Sequence, residues 1–141
     1  MILQAFPISS LSSKSRVMET REFACSPEGM AVAQSFLEEL DGGPKASVVF
    51  DEIVSNIVRC SGSPTFSIGL ERNENSLTMV FMDAGQAFNP LTEVALPDVS
   101  AKLEDRSVGG LGIFLVQKMA KEVSYRRDAN HNILTVVMEP V

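Results

Sequence analysis

The stretch from Asp83 to Gly112 constrains this chain more than any other. It opens on Asp83-Ala84-Gly85-Gln86-Ala87-Phe88-Asn89-Pro90, directly after the apolar run Leu77-Thr78-Met79-Val80-Phe81-Met82. It closes on Gly109-Gly110-Leu111-Gly112, directly before Ile113-Phe114-Leu115-Val116. A strand thus delivers a carboxylate and a glycine to its end, a polar loop follows, and a glycine cluster opens a helix. Such a layout suits a nucleotide: Asp83 can accept a hydrogen bond from a base amine, and the unpaired amides of a helix N-terminus favour phosphates. The cluster is not a dinucleotide fingerprint, because Leu115 stands where the third glycine belongs and no strand directly precedes it. No Gly-x-x-x-x-Gly-Lys-Ser/Thr loop occurs, which excludes a P-loop site.

The flanking segments supply a frame. Residues 17–25 read as a strand. Ser26-Pro27-Glu28 reads as a helix start, with a capping hydroxyl, a proline suited to the first helical position and an acid that complements the dipole. Met30, Val32, Ala33, Phe36, Leu37 and Leu40 continue with helical period until Asp41-Gly42-Gly43-Pro44 interrupts. Another helix is expected over 45–60, with Val49, Ile53 and Ile57 in one apolar line. Glu52 and Asn56, one turn apart, border that line, at the edge of the core and beside a cleft. Two strands follow, over 65–71 and 77–82, joined at Asn73-Glu74-Asn75. The strand over 77–82 reads as buried on both faces. Residues 91–108 are too long for a plain connection and read as a partly mobile loop over a site. A helix over 111–121 and strands over 122–127 and 133–138, joined by a turn at 128–132, complete the chain. Paired strands between helices predict an α+β two-layer sandwich, a mostly antiparallel mixed sheet with helices on one face.

Length and charge narrow the function. The 141 residues suit one domain, with an ordinary balance of 45% hydrophobic and 21% charged residues. A net charge of -6 without a Lys/Arg cluster argues against direct nucleic-acid binding. Cys25 and Cys60 read as isolated, reduced thiols, and a single histidine without a Cys-x-x-Cys gives zinc almost no support. No apolar run reaches membrane-spanning length and the N-terminus lacks the features of a signal peptide, so a cytoplasmic protein is expected.

Each motif alone is ordinary. Glu52-x-x-x-Asn56 is common on helix surfaces, Asp83-Ala84-Gly85 is more often a simple turn, and a glycine cluster is often only a joint. Together and in this order they resemble the asparagine box and the two glycine boxes of the GHKL ATPase/kinase superfamily, whose ATP-binding fold is the Bergerat fold. The nearest likeness is to the bacterial anti-sigma-factor serine/threonine kinases. It is carried by Phe50-Asp51-Glu52-Ile53-Val54-Ser55-Asn56, by Asp83 to Pro90, and by Glu104-Asp105-Arg106-Ser107-Val108-Gly109-Gly110-Leu111-Gly112-Ile113, and it covers about 17–139.

That resemblance implies roles. Asn56 would give its side-chain oxygen to Mg²⁺, a hard cation that accompanies ATP phosphates. Glu52 would be the general base for an incoming hydroxyl. Asp83 would bind the adenine amine, and Gly85 would let the backbone approach the base. Gly110 and Gly112 would bend the loop so that helix amides meet the phosphates, and Arg106 would reach the terminal phosphate. Thr135 matches a threonine that lies near the nucleotide. Family members often carry histidine where this chain has Cys60. The implied partners are an anti-sigma-factor antagonist of the STAS type, phosphorylated on Ser or Thr, and a sigma factor that the kinase sequesters, with a homodimer as the implied assembly. The alternatives are a non-catalytic ATP-binding module that sequesters a regulator, and a plain α+β domain without nucleotide. A sensor histidine kinase is disfavoured, since the only histidine, His131, falls in a predicted turn.

Overall fold

The computed structural model describes residues 4–6, 18–93 and 110–139. Its six strands are β1 (Gln4–Phe6), β2 (Met18–Ala24), β3 (Thr65–Arg72), β4 (Leu77–Asp83), β5 (Glu122–Asp128) and β6 (His131–Met138). They form one sheet in the order β1-β2-β3-β4-β6-β5. Every neighbouring pair is antiparallel, so the pairing is more uniform than the mixed sheet expected. The helices among the described residues are α1 (Pro27–Glu38), α2 (Gly43–Cys60), the short α3 (Pro90–Glu93) and α4 (Gly110–Met119). The architecture is the expected α+β sandwich. No described helix is long and apolar enough to cross a membrane.

The helix starts follow local chemistry. Ser26 is extended (φ -155°) and its Oγ accepts from the Gly29 amide at 3.0 Å, which satisfies one of the donors that a helix start leaves open. Pro27, which has no amide to satisfy, begins the first turn. On α2 the buried residues Ala46, Val49, Phe50, Ile53, Val54 and Ile57 recur at spacings of three and four, one stripe of a helix. This stripe packs on one face of the sheet, formed by Phe66, Ile68 and Leu70 of β3, Leu77, Met79 and Phe81 of β4, and Leu134, Val136 and Met138 of β6. Phe50 and Phe81 meet at 5.7 Å between ring centroids, and both are essentially fully buried. Burial of each ring contributes about 1.5–3 kcal/mol. The Phe23 ring packs at 6.0 Å from Phe36 and 5.6 Å from Phe66, tying β2 and α1 to the same core.

β4 was expected to be buried on both faces, yet it alternates. Leu77, Met79, Phe81 and Asp83 are buried, while Thr78, Val80 and Met82 are only partly so. The alternation arises because the helices cover one face, and period-two geometry sends every other side chain to the opposite side. The last hairpin is also tighter than expected. Ala129 (φ 50°) and Asn130 (φ 64°) are its two turn residues, both left-handed, as a two-residue hairpin of matching twist requires. His131 and Asn132 therefore belong to β6, and Asn132 lies directly opposite Asp83 of β4. Of the long segment at 91–108, residues 91–93 belong to α3 and residues 94–108 lie outside the described part.

Candidate functional site

An open pocket lies between the C-terminal half of α2, the ends of β4 and β6, and the start of α4. About 490 Å³ of space not filled by atoms lies within it, open solvent at its mouth included. Its walls are apolar, with Ile53, Ile57, Phe81, Ile113 and Leu134, and its polar groups include Asn56, Asp83 and Asn132. Such a slot accepts a flat heterocycle, provided that the heterocycle brings a donor for the acid at its floor.

Asp83 is that acid. It is the last residue of β4 and only 8% exposed. The Gly85 amide donates to its Oδ1 at 2.9 Å and Asn132 Nδ2 donates to the same oxygen at 3.0 Å. Both hydrogen bonds that hold it within the described residues fall on Oδ1, so Oδ2 is left to accept from a ligand. Gly85 must be glycine for reasons of space, because a Cβ there would run into the backbone carbonyl of Ser61 at the end of α2. Its own carbonyl accepts from Arg127 Nη1 at 2.8 Å, which ties the loop to β5.

Asn56 lines the pocket from α2, half-buried. Its Oδ1 accepts from Arg59 Nη2 at 3.3 Å and from the Cys60 thiol at 3.7 Å, so cationic and weak donors already face this oxygen. Cys60 therefore stands beside the candidate cation ligand, in the pocket wall and exposed. Cys25 differs. Burial pushes its thiol above the usual range, the Ser61 hydroxyl pulls against that shift, and the charge of Asp83 adds a smaller upward push. Both cysteines are free.

Glu52, one turn before Asn56, turns towards α4. The carboxylate occupies the space that a side chain at Gly112 would take. It thus rests against the first turn of α4, where the leading amides have no intrahelical acceptor and the helix dipole favours negative charge. Gly110 is the first residue of that helix. Of the expected residues, Asn56 and Asp83 line the pocket, Gly85 adjoins it through its amide on Asp83, and Glu52 meets Gly112 in the first turn of the helix that Gly110 opens. Arg106 lies outside the described residues.

Thr135 is a correction. On β6 the side chains of Asn132, Leu134, Val136 and Met138 face the helices, so Thr135, one step out of phase, faces the other side of the sheet. Its neighbour Leu134 lines the pocket instead. Two contributors were not anticipated. Asn132, 7% exposed, and the partly buried Tyr125 both line the pocket, with the Tyr125 hydroxyl donating to Asn132 Oδ1 at 2.5 Å. The signal available for Asn132 was a polar residue at a strand position in register with Asp83, and the assumed five-residue turn concealed it.

The donor set fits an adenine nucleotide carried with Mg²⁺. A buried acceptor and a neutral side-chain oxygen line one apolar slot, and Ile113 from the first turn of a glycine-opened helix completes its wall. Compared with protein families, the chain matches the histidine kinase-like ATPase domain over residues 20–138. No curated protein matches it closely enough to be compared.

Proposed function

The chain belongs to the histidine kinase-like ATPase domain family, and from that premise we propose that it is a serine/threonine protein kinase that uses MgATP to phosphorylate an anti-sigma-factor antagonist. In the same proposal it sequesters a sigma factor, nucleotide state and phosphorylation deciding which partner it holds. The observation that carries this reading is convergence. Asp83, Asn56 and the start of α4 border one pocket, with Glu52 at the junction of α2 and α4.

The proposed roles are those that the resemblance implies, and the placement of the described residues supports several of them. Asp83 Oδ2 accepts from the adenine amine, and Ile53, Ile57, Phe81 and Leu134 enclose the ring. Gly110 and Gly112 would let the start of α4 approach phosphate oxygens once the flexible Glu52 carboxylate now resting against Gly112 yields. Asn56 Oδ1 would hold Mg²⁺, which when bound neutralises charge on the phosphates. Arg106, from the segment before α4, is assigned to the terminal phosphate. Glu52 takes the proton of the incoming Ser or Thr hydroxyl as its oxygen bonds to the γ-phosphorus, the bond to the β-phosphate breaks, and ADP leaves.

One observation favours an alternative reading, a non-catalytic ATP-binding module. Glu52 leans on Gly112 and is not part of the pocket wall. A single variant separates the two. Saturating MgATP is expected to raise the melting temperature of the wild-type protein, since a ligand that binds only the folded state must stabilise it. Glu52→Gln should keep that rise and lose transfer of label from γ-labelled ATP to the partner by at least about 100-fold, the lower range for a general base. Wild-type binding without labelled partner supports the module. Unimpaired labelling by Glu52→Gln would remove Glu52 from the mechanism.

A further inference from the structure

Asn132 uses its entire hydrogen-bonding capacity inside the protein. Nδ2 donates to Asp83 Oδ1 at 3.0 Å and to the Gln86 carbonyl at 2.8 Å. Oδ1 accepts from the Phe88 amide at 3.1 Å and from the Tyr125 hydroxyl at 2.5 Å. The orientation of this amide is dictated by its neighbours. A backbone N–H can only donate and a backbone carbonyl can only accept, so a flipped side chain would set oxygen against the Gln86 oxygen and nitrogen against the Phe88 amide. One side chain therefore fixes the end of β4, the loop that follows it and β5 relative to one another. Although Asn132 lines the pocket, it has no donor or acceptor left for a ligand.

We infer that Asn132, anchored by Tyr125, is a positioning residue that acts through Asp83 to make this pocket select a 6-amino purine over a 6-oxo purine. The inference rests on the nucleotide reading above. By holding Oδ1, Asn132 and the Gly85 amide fix the plane of the carboxylate, so Oδ2 is the oxygen presented to the base. A carboxylate oxygen accepts from an exocyclic amine and repels a carbonyl oxygen in the same place, and a fixed plane prevents Asp83 from turning away from the wrong base. Without Asn132 the carboxylate can rotate, and the loop at Gln86 and Phe88 loses both ties to β6. Asp83 supplies the chemical preference, and Asn132 supplies the rigidity that turns preference into discrimination.

The test compares ATP with ITP, which differ at the 6-position of the purine, by calorimetric titration of the full chain. Wild-type protein should favour ATP by roughly tenfold or more, and Asn132→Ala should weaken ATP by a similar factor while the ATP/ITP ratio falls towards one. Tyr125→Phe, which leaves the Phe88 amide on Asn132, should narrow the ratio by about two- to fivefold. It should add nothing in the Asn132→Ala background if it acts through that residue. Equal weakening of both nucleotides, with the ratio preserved, would mean that Asn132 only supports the fold and would overturn the inference. Equal wild-type affinity for ATP and ITP would also overturn it while leaving the nucleotide reading intact, whereas binding of neither would overturn that reading first and this one with it. If Asn132→Ala does not fold, Tyr125→Phe decides alone, and an unchanged ratio rejects the inference.

Discussion

Asp83→Asn is expected to weaken ATP by about 10–100-fold without unfolding the protein. The substitution preserves shape and keeps an oxygen for the Gly85 amide and Asn132 Nδ2, so the internal hydrogen bonds survive. What changes is the outward atom, which becomes an NH₂ donor facing the donor on adenine. A hydrogen bond to a charged group contributes about 1.5–3 kcal/mol, and the replacement also opposes donor to donor. Asp83→Ala should reach the same loss of affinity and also lower stability, because it strips an acceptor from the buried Asn132 amide and the part-buried Gly85 N–H. Calorimetric titration with ATP, alongside thermal unfolding without ligand, separates the two effects. Undiminished ATP affinity in Asp83→Asn would show that the base is read elsewhere.

Gly85→Ala should damage the fold as well as the site. The added Cβ would meet the Ser61 carbonyl, which is backbone and cannot swing aside as a long side chain would. Either the end of α2 or the loop after β4 must move, and overpacking of this kind costs about 1–3 kcal/mol. The displacement also strains the Gly85 amide bond to Asp83 and the carbonyl contact with Arg127. Urea denaturation should show a lower midpoint, and ATP affinity should fall by more than the stability loss alone would produce. The contrast with Gly112 is instructive, because a side chain there would meet the tip of Glu52, a flexible group that can yield. A Gly85→Ala protein with wild-type stability and affinity would refute the close approach of α2 to this loop.

Much of this was legible in the sequence because local chemistry and long-range packing agree. Ser26-Pro27 marked the start of α1, the apolar line on α2 placed Glu52 and Asn56 at the border of the core, and the run before Asp83 ended where a strand ends. The difficulties arose where two signals conflict. Asn130, His131 and Asn132 are polar and resemble turn residues, yet Asn132 is buried because Asp83, Gln86, Phe88 and Tyr125 satisfy it. Thr135 stands in a run that is apolar on both sides, Ile133-Leu134-Thr135-Val136-Val137, where alternation does not reveal which face meets the helices. Only the register with β4 decides it. β1 was not anticipated, since three residues carry no periodicity and their pairing with β2 is a matter of tertiary contact.

The order of the strands has a consequence for biosynthesis. β4 sits between β3 and β6, and Asp83 is separated along the chain by 49 residues from the amide that orients it. As the polypeptide leaves the ribosome, the hairpin of β3 and β4 can close early, but one flank of β4 stays bare until β6 arrives. The acid at its tip lacks Asn132 until then. The pocket is thereby unfinished until β6 has been made, and a nascent chain stalled before β6 has a carboxylate but no framed cavity in which to use it.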